Sequence, residues 1–265
     1  MKVAVIADVH IGPEKEFKGK ILKLSRHSES ELKRFINKVS EMTDIDAVVE
    51  LGDLIQEQDY KTDAKNYQDA LNEFKKLPQS TYHVIGNHDQ VFLGDEDLRF
   101  WLGLDHLFYS FDCDGYKCVV LFSERRMHNF LARVGIAQLD WLKKELKESK
   151  KPVIIFAHYP VDDQSFEGNP WFEERPELGL TENRAEVRKV LEDSGKVVAV
   201  ISAHNHWYKL NYHNNIPYIT LQSLVENIGD NTPALSWSIL TFEPGKINLQ
   251  TFGNDSREVN IPLKK

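Results

Sequence analysis

Residues 1–10 read MKVAVIADVH, a run of small and β-branched apolar residues that leads into a carboxylate and an imidazole. A short apolar run of this kind, followed by polar residues, predicts a strand that is buried on both faces. Similar runs recur along the chain at 47–51, 81–85, 119–122, 153–157 and 197–201. Segments of helical periodicity separate many of these runs, and the alternation predicts a largely parallel sheet covered by helices.

The segments between the runs carry the signals of amphipathic helices. A capping-box sequence at 28–31 predicts a helix start, and the apolar residues that follow it recur on one face. Further helices are predicted at about 63–77, 95–102, 136–148 and 182–193.

The last fifty residues change character, because strands are predicted at 216–221, 235–242 and 247–252 with a turn at Pro244-Gly245. We expect these strands, together with a hairpin around Asp114-Gly115, to build a second sheet packed on the first. The predicted fold class is therefore α/β, a four-layer α/β/β/α sandwich with two mixed sheets. The sequence contains no repeat or flexible linker, so we expect one domain over residues 1–265.

Composition limits the class of protein. The 33 Lys and Arg residues against 41 Asp and Glu residues give a formal charge of −8, which disfavours a protein that coats nucleic acid. The apolar runs are shorter than the ~18 residues of a membrane-spanning helix, and the first run meets Asp8 too early for a signal peptide. We expect no membrane partner and a cytoplasmic location. Cys113 and Cys118 would not face each other across a two-residue hairpin, so both are expected to be reduced thiols.

Potential metal ligands follow five of the predicted strands. They are Asp8 and His10, Asp53, Asn87 with His88 and Asp89, His158, and His204 with His206. The carboxyl ends of parallel strands line one crevice, so we expect these side chains to converge. In each of the spacings Asp8-x-His10 and His204-x-His206, both side chains lie on the same side of an extended segment and can chelate.

The types of residue in this set indicate the kind of metal. Carboxylates, imidazoles and an amide, without thiolates, suit two divalent or mixed-valence ions such as Mn, Fe or Zn. A carboxylate shared between two ions would give the ~3.5–4 Å metal pair that clamps the attacking and leaving oxygens in phosphoryl transfer. Such a pair would also explain how an acidic chain holds an anionic phosphate.

From residue 8 to residue 206, these motifs occur in the order that is typical of the calcineurin-like metallophosphoesterase family, and the chain resembles that family. The resemblance implies that one ion is bound by Asp8, His10 and His206, that the other is bound by Asn87, His158 and His204, and that Asp53 bridges them. It also implies a metal-bridging hydroxide as nucleophile. His88 would face the leaving-group oxygen as acid or electrostatic stabiliser, oriented by Asp89.

Two further features qualify the resemblance. The stretches 183–188 and 216–221 are similar to bacterial phosphodiesterase-like members and to the manganese-dependent ADP-ribose/CDP-alcohol diphosphatases. Ala203 stands where the family usually has Gly, and it would be strained by ~1–2 kcal/mol if that position required a positive φ.

Substrate contacts are predicted from loops. Arg125 and Arg126 follow the run 119–122 and would bind a phosphate in a bidentate manner, or they form a solvated loop pair. The segment 162–180 is longer than ordinary loops and is expected to be a lid. Its Trp171 or Phe172 would stack on a base or cover the metals, or would pin the loop to the core. The mixed charges at 14–23 are expected to form a solvated face.

The sequence predicts a dinuclear metal-dependent phosphohydrolase, phosphodiesterase-like, that cleaves a phosphodiester or phosphoanhydride. The expected partner is a small phosphorylated substrate, with a nucleotide as one candidate. A phosphomonoesterase and a nuclease are the alternatives among enzymes, and the net charge disfavours a nuclease on long polymers. A catalytically silent interaction scaffold is the alternative of another class, although it would be expected to have lost ligands that this sequence keeps. The oligomeric state has no readable signal.

Overall fold

The computed structural model describes residues 1–126 and 128–263. In chain order, the strands of these residues are β1 (Lys2–Ile6), β2 (Glu16–Phe17), β3 (Lys20–Ile21), β4 (Ala47–Glu50), β5 (Thr81–His83), β6 (Tyr109–Cys113), β7 (Tyr116–Leu121), β8 (Glu124–Arg125), β9 (Ala132–Arg133), β10 (Val153–Ala157), β11 (Val197–Ser202), β12 (Lys209–His213), β13 (Ile216–Thr220), β14 (Trp237–Glu243), β15 (Lys246–Phe252) and β16 (Arg257–Pro262). The α-helices are α1 (Ser28–Ser40), α2 (Tyr60–Phe74), α3 (Asp95–Leu102), α4 (Ile136–Glu148) and α5 (Arg184–Asp193).

The strands form two large mixed sheets and two short ribbons. The first six-stranded sheet has the order β16-β15-β14-β1-β4-β5, and the second has the order β12-β13-β11-β10-β7-β6. Strands β1, β4 and β5 are parallel, as are β7, β10, β11 and β13. The carboxyl ends of β1, β4, β5, β10 and β11 lead into the candidate ligands.

Alternation along β1 and β10 explains the layers. In β1, Ala4 and Ile6 pack with α1 and α2, whereas Val3 and Val5 pack against the other sheet. In β10, Ile154 and Phe156 face the first sheet, and the intervening residues pack on α4 and α5. Successive side chains of a strand point to opposite faces, so an all-apolar strand is buried between a helix layer and a sheet layer. The predicted four-layer sandwich is confirmed.

The expected division of strands between the sheets is wrong. Strands β14 and β15 extend the first sheet rather than the second, because β14 pairs antiparallel with β1, and β16 completes that sheet. Of the late strands that were predicted, only β13 joins the second sheet. The sequence did not indicate β12 and β16, which are edge strands with many half-exposed or exposed polar residues.

Most helix predictions agree with the structure. Helices α3 and α4 have the predicted bounds, and α2 begins earlier than expected because the Asp59 side chain accepts a hydrogen bond from the Thr62 N–H and caps it. The thiols of Cys113 and Cys118 are free, and Cys113 lies opposite Tyr116 in the hairpin. None of the helices in the described ranges is both long and apolar enough to cross a membrane.

Candidate dinuclear metal centre

Two groups of candidate ligands, called the first and second ligand groups below, meet where the carboxyl ends of the two sheets face each other. The first ligand group is Asp8, His10 and His206, whose ligand atoms lie within 4.8 Å of one another. The Nε2 atoms of His10 and His206 are 3.2 Å apart, and Nε2 of His206 is 3.7 Å from Oδ1 of Asp8. All three side chains are buried.

The second ligand group is Asn87, His158 and His204. Nε2 of His158 is 3.2 Å from Oδ1 of Asn87 and 3.4 Å from Oδ2 of Asp53, and His204 lies in the same cluster. Oδ2 of Asp53 is also 3.8 Å from Nε2 of His10. The Asp53 carboxylate therefore lies between the two groups, where a bridging ligand would be.

The strand ends turn these side chains into the crevice through strained backbone. Five of the candidate ligands have positive φ, namely Asp8 (51°), His10 (53°), Asp53 (56°), His204 (71°) and His206 (60°). Such conformations are uncommon for residues other than glycine and persist where the surroundings determine them, often at functional sites. Ala203 is not among the positive-φ residues, so the strain considered for it does not arise.

Two glycines allow the ligand loops to approach each other. A Cβ on Gly86 would lie 2.2 Å from Oδ1 of Asp53, and a Cβ on Gly52, where φ is 94°, would lie 2.7 Å from Nδ1 of His158. The pairs Gly52-Asp53 and Gly86-Asn87 are thus a steric requirement of the centre.

In each of three candidate ligand histidines, a hydrogen bond holds one of the two ring nitrogens. Nδ1 of His158 is 2.8 Å from the Leu51 carbonyl oxygen, and Nε2 of His204 is 3.0 Å from the Leu178 carbonyl oxygen. Nδ1 of His206 is 2.7 Å from Oε2 of Glu226. In each ring the other nitrogen is left to face the cluster, as in metal-binding histidines whose second nitrogen is held by an acceptor.

The donor set fits a pair of divalent ions. Oδ1 of Asp8 is buried without a hydrogen-bond partner although it faces the cluster, and a cation would satisfy it. Burial raises the pKa of Asp8 to about 6. Although burial also acts to raise the pKa of Asp53, the neighbouring His158 and His88 hold it well below its usual range. Buried, strongly coupled carboxylates and imidazoles are typical of a functional site.

His88 lies at the edge of the centre, with Nε2 3.8 Å from Oδ2 of Asp53. Its Nδ1 contacts a carboxylate oxygen of Glu57. The expectation that Asp89 orients His88 is wrong: the Asp89 carboxylate accepts hydrogen bonds from the backbone N–H groups of Gly86, Asp53 and Ile55, at 2.8, 3.0 and 3.2 Å. Asp89 ties the two ligand loops together, and Glu57 takes the orienting position.

The segment 162–180, which is predicted to be a lid, places two aromatic rings against candidate ligand histidines. The Trp171 ring is 5.4 Å from the His206 ring, and the Phe172 ring is 4.9 Å from the His204 ring. Nε1 of Trp171 lies 3.2 Å from both carboxylate oxygens of Glu226. Both aromatic residues therefore lie against the centre, and their contact with substrate stays a prediction.

The two arginines differ in their surroundings. Arg126 forms an ion pair with Glu182 at 3.3 Å, so its charge is already partly neutralised. The Arg125 guanidinium lies over the Phe130 ring, 4.9 Å from its centre. Phosphate binding by either residue stays a prediction.

Sequence reasoning missed three side chains beside the centre, namely Lys23, Glu57 and Glu226. The expected solvated face at 14–23 is wrong at Lys23, which is 5% exposed and has Nζ 3.3 Å from Nε2 of His88. A signal was present, because Lys23 interrupts the apolar sequence Ile21-Leu22-Lys23-Leu24. Glu57 and Glu226 follow no motif that would have marked them.

The fold and the centre together define the class of protein. The sequence pattern of the calcineurin-like phosphoesterases matches residues 1–208, and the chain belongs to that family. It is a metal-dependent phosphoesterase, a hydrolase that acts on phosphoester bonds.

One relative in sequence and two solved structures are similar to this chain. A manganese-dependent ADP-ribose/CDP-alcohol diphosphatase of Oryza sativa subsp. japonica is 27% identical in an alignment of 258 positions, with coverage of 76% of each chain. A dimetal phosphatase from Danio rerio has the same fold, with a TM-score of 0.80 and 18% identity over 99% of both chains. The GAP50 anchor of the inner membrane complex of Plasmodium has a TM-score of 0.62 and 14% identity, with coverage of 100% of this chain and 89% of that one.

Proposed function

We propose that the protein is a dinuclear phosphohydrolase that cleaves a phosphoanhydride or phosphodiester bond in a small molecule, with a nucleotide derivative as the leading candidate. The observation that carries this proposal is the convergence of two ligand groups on Asp53, with His88 beside the shared carboxylate. The rice relative is named as a diphosphatase, which favours a diphosphate among the possible substrates.

The proposed roles follow from position. The first ligand group would hold one ion, the second ligand group the other, and Asp53 both. When bound, two divalent ions supply positive charge for the phosphoryl oxygens and activate the attacking water. His88 points Nε2 toward the centre while Glu57 holds Nδ1, so Nε2 is the atom placed to meet the leaving-group oxygen and to supply its proton. The lid residues Trp171 and Phe172 exclude bulk water from the ligand histidines.

The test combines metal content with a substrate panel. Elemental analysis of the purified protein should give close to two metal ions per chain. Hydrolysis with added Mn²⁺ is then compared for ADP-ribose, CDP-choline, a cyclic nucleotide, a glycerophosphodiester and a phosphomonoester. Preference for one of the first four supports the proposal. A large preference for the monoester would make the protein a phosphomonoesterase, and failure to bind Mn²⁺ or Fe²⁺ would favour the interaction scaffold.

A further inference from the structure

Lys23 is held beside the centre by its backbone. It follows the ribbon formed by β2 and β3, and its backbone forms an antiparallel bridge with Glu226. The next residue, Leu24, donates a backbone hydrogen bond of 2.8 Å to the carbonyl oxygen of Val225. The position of Lys23 is thus fixed against the same segment that carries the Glu226 support of His206.

The ammonium group of Lys23 lacks an ion-pair partner of its own. Among the described residues, no carboxylate oxygen lies within 4.0 Å of its Nζ, whereas more exposed lysines such as Lys15, Lys18 and Lys151 have one. Its contacts are Nε2 of His88, at 3.3 Å, and the face of the Trp171 ring, at 5.3 Å. A buried cation without a carboxylate in direct contact is unfavourable for folding, and its N–H groups are left to donate to an anionic ligand.

The direction of the contact places that ligand. A lysine ammonium has three N–H donors and no acceptor, so in this contact Lys23 donates to Nε2 of a neutral His88. When Nε2 carries the proton for the leaving group, that N–H of Lys23 is released. Nε2 is the atom that the proposed function places at the leaving-group oxygen. A negatively charged group on the leaving side of the scissile bond would therefore lie within reach of the remaining N–H groups of Lys23.

We propose that Lys23 binds a phosphate oxygen on the leaving side of the scissile bond, and so makes the site selective for diphosphates over simple phosphodiesters. This inference rests on the proposed function. Hydrolysis of a diphosphate diester adds one water and yields two phosphate monoesters, so its leaving group carries a phosphate of its own. The leaving group of a simple diester is an alcohol without that charge. A charge-assisted hydrogen bond under the Trp171 ring discriminates between the two.

Carboxylates near the centre disfavour an anionic leaving group. Glu57 contacts Nδ1 of His88, and Glu226 contacts Nδ1 of His206 and Nε1 of Trp171, so both would repel it. Lys23 offsets this repulsion. Burial lowers the pKa of Lys23 to about 8, which leaves it mostly charged at neutral pH.

The experiment compares Lys23→Met with Lys18→Met. Lys18 belongs to the same ribbon, but its side chain is 52% exposed and pairs with Glu174, so the control removes the same charge away from the centre. With Mn²⁺ bound, kcat/KM is measured for ADP-ribose and for bis-p-nitrophenyl phosphate. We expect Lys23→Met to lower the value for ADP-ribose by about 10- to 100-fold more than the value for the diester. Lys18→Met should change neither of the two kcat/KM values.

A binding measurement separates this inference from the proposed function. Methylenediphosphonate is a diphosphate analogue that is not hydrolysed, and its affinity for the manganese-loaded protein is measured by calorimetry. Lys23→Met should weaken it by about 10-fold or more, and Lys23→Arg should recover most of the affinity because the charge is kept. Lys23→Gln serves as a second uncharged variant if Lys23→Met does not fold, and the metal content of each variant shows whether the centre is intact.

The outcomes are distinct. Equal losses on both substrates with unchanged methylenediphosphonate affinity would overturn the inference and leave the phosphohydrolase intact. Absence of hydrolysis by metal-loaded wild-type protein on every substrate would overturn the proposed function, and the calorimetry would still decide whether Lys23 binds a diphosphate.

Discussion

The two ligand groups are supported in different ways. In the second ligand group, His158 and His204 are oriented by backbone carbonyl oxygens, those of Leu51 and Leu178. In the first ligand group, His206 is oriented by the Glu226 carboxylate. Backbone support depends only on the fold, whereas side-chain support depends on charge and can be changed by one substitution.

The surroundings of the two groups show the same contrast. The His204 ring packs against the Tyr159 ring, with centres 3.9 Å apart, and against Phe172. On the other side, the His10 ring is 4.9 Å from the His88 ring, which in turn contacts Lys23 and Glu57. The side of the first ligand group therefore carries the charged groups suited to proton transfer and to recognition of the leaving group. We expect the side of the second ligand group to act chiefly as a rigid holder of metal.

The largest effect is expected for Asp53, the residue that the two ligand groups share. Asp53→Ala removes the carboxylate that lies between them, so we expect loss of bound metal and of detectable hydrolysis. Elemental analysis and turnover of ADP-ribose check this, with Asp69→Ala, an exposed carboxylate paired with Lys65, as control. Two ions retained per chain in Asp53→Ala would refute the shared ligand.

The second-largest effect is expected for His88, whose removal should impair catalysis without loss of metal. His88→Ala should keep both ions, because His88 lies at the edge of the centre rather than in either group, and should lower kcat by about 10²- to 10⁴-fold. The two sides then remain intact while proton transfer is lost. Wild-type turnover in metal-replete His88→Ala would contradict the assigned role.

The candidate ligands could be predicted from the sequence, whereas the pairing of distant strands and three side chains beside the centre could not. The strand-end motifs predicted which side chains converge because short apolar runs fix where each strand ends, and two mixed sheets follow from alternating elements. The sequence did not reveal that β14 pairs with β1, since pairing between distant strands leaves no local pattern. It did not reveal Lys23, Glu57 or Glu226 either. Glu57 and Glu226 act through side-chain contacts across the fold that leave no local pattern, whereas Lys23 is marked only by its place within the apolar sequence 21–24.

The pH dependence of stability tests whether the buried Lys23 carries a charge. Burial lowers the pKa of Lys23 from its ordinary 10.5 to about 8 in the folded chain, although the carboxylates of Asp53, Glu57, Asp8 and Glu226 act in the opposite direction. Between these two pH values the unfolded chain binds more protons than the folded chain, so this group makes stability rise with pH. Below pH 8 it destabilises the fold by about 3 kcal/mol, and this penalty is gone by pH 10.5.

The measurement is urea unfolding of the metal-free protein from pH 7 to 10.5. We expect the stability of wild type relative to Lys23→Met to rise by about 3 kcal/mol over this window. Lys18→Met should follow wild type throughout. Parallel curves for wild type and Lys23→Met would show that the buried ammonium does not titrate in this range.

The smallest effect is expected for Glu226, which supports the first ligand group alone. Glu226→Gln keeps the size of the side chain but removes the charge that orients His206 and accepts the Trp171 N–H, and loss of such a partner typically weakens metal binding 10- to 100-fold. Because His158 and His204 keep their backbone partners, only one of the two ions should be lost on titration with a chelator. Glu243→Gln, which removes an exposed partner of Lys246, is the matched control. Simultaneous weakening of both ions would mean that the two sides are coupled through Asp53 more strongly than their separate supports imply.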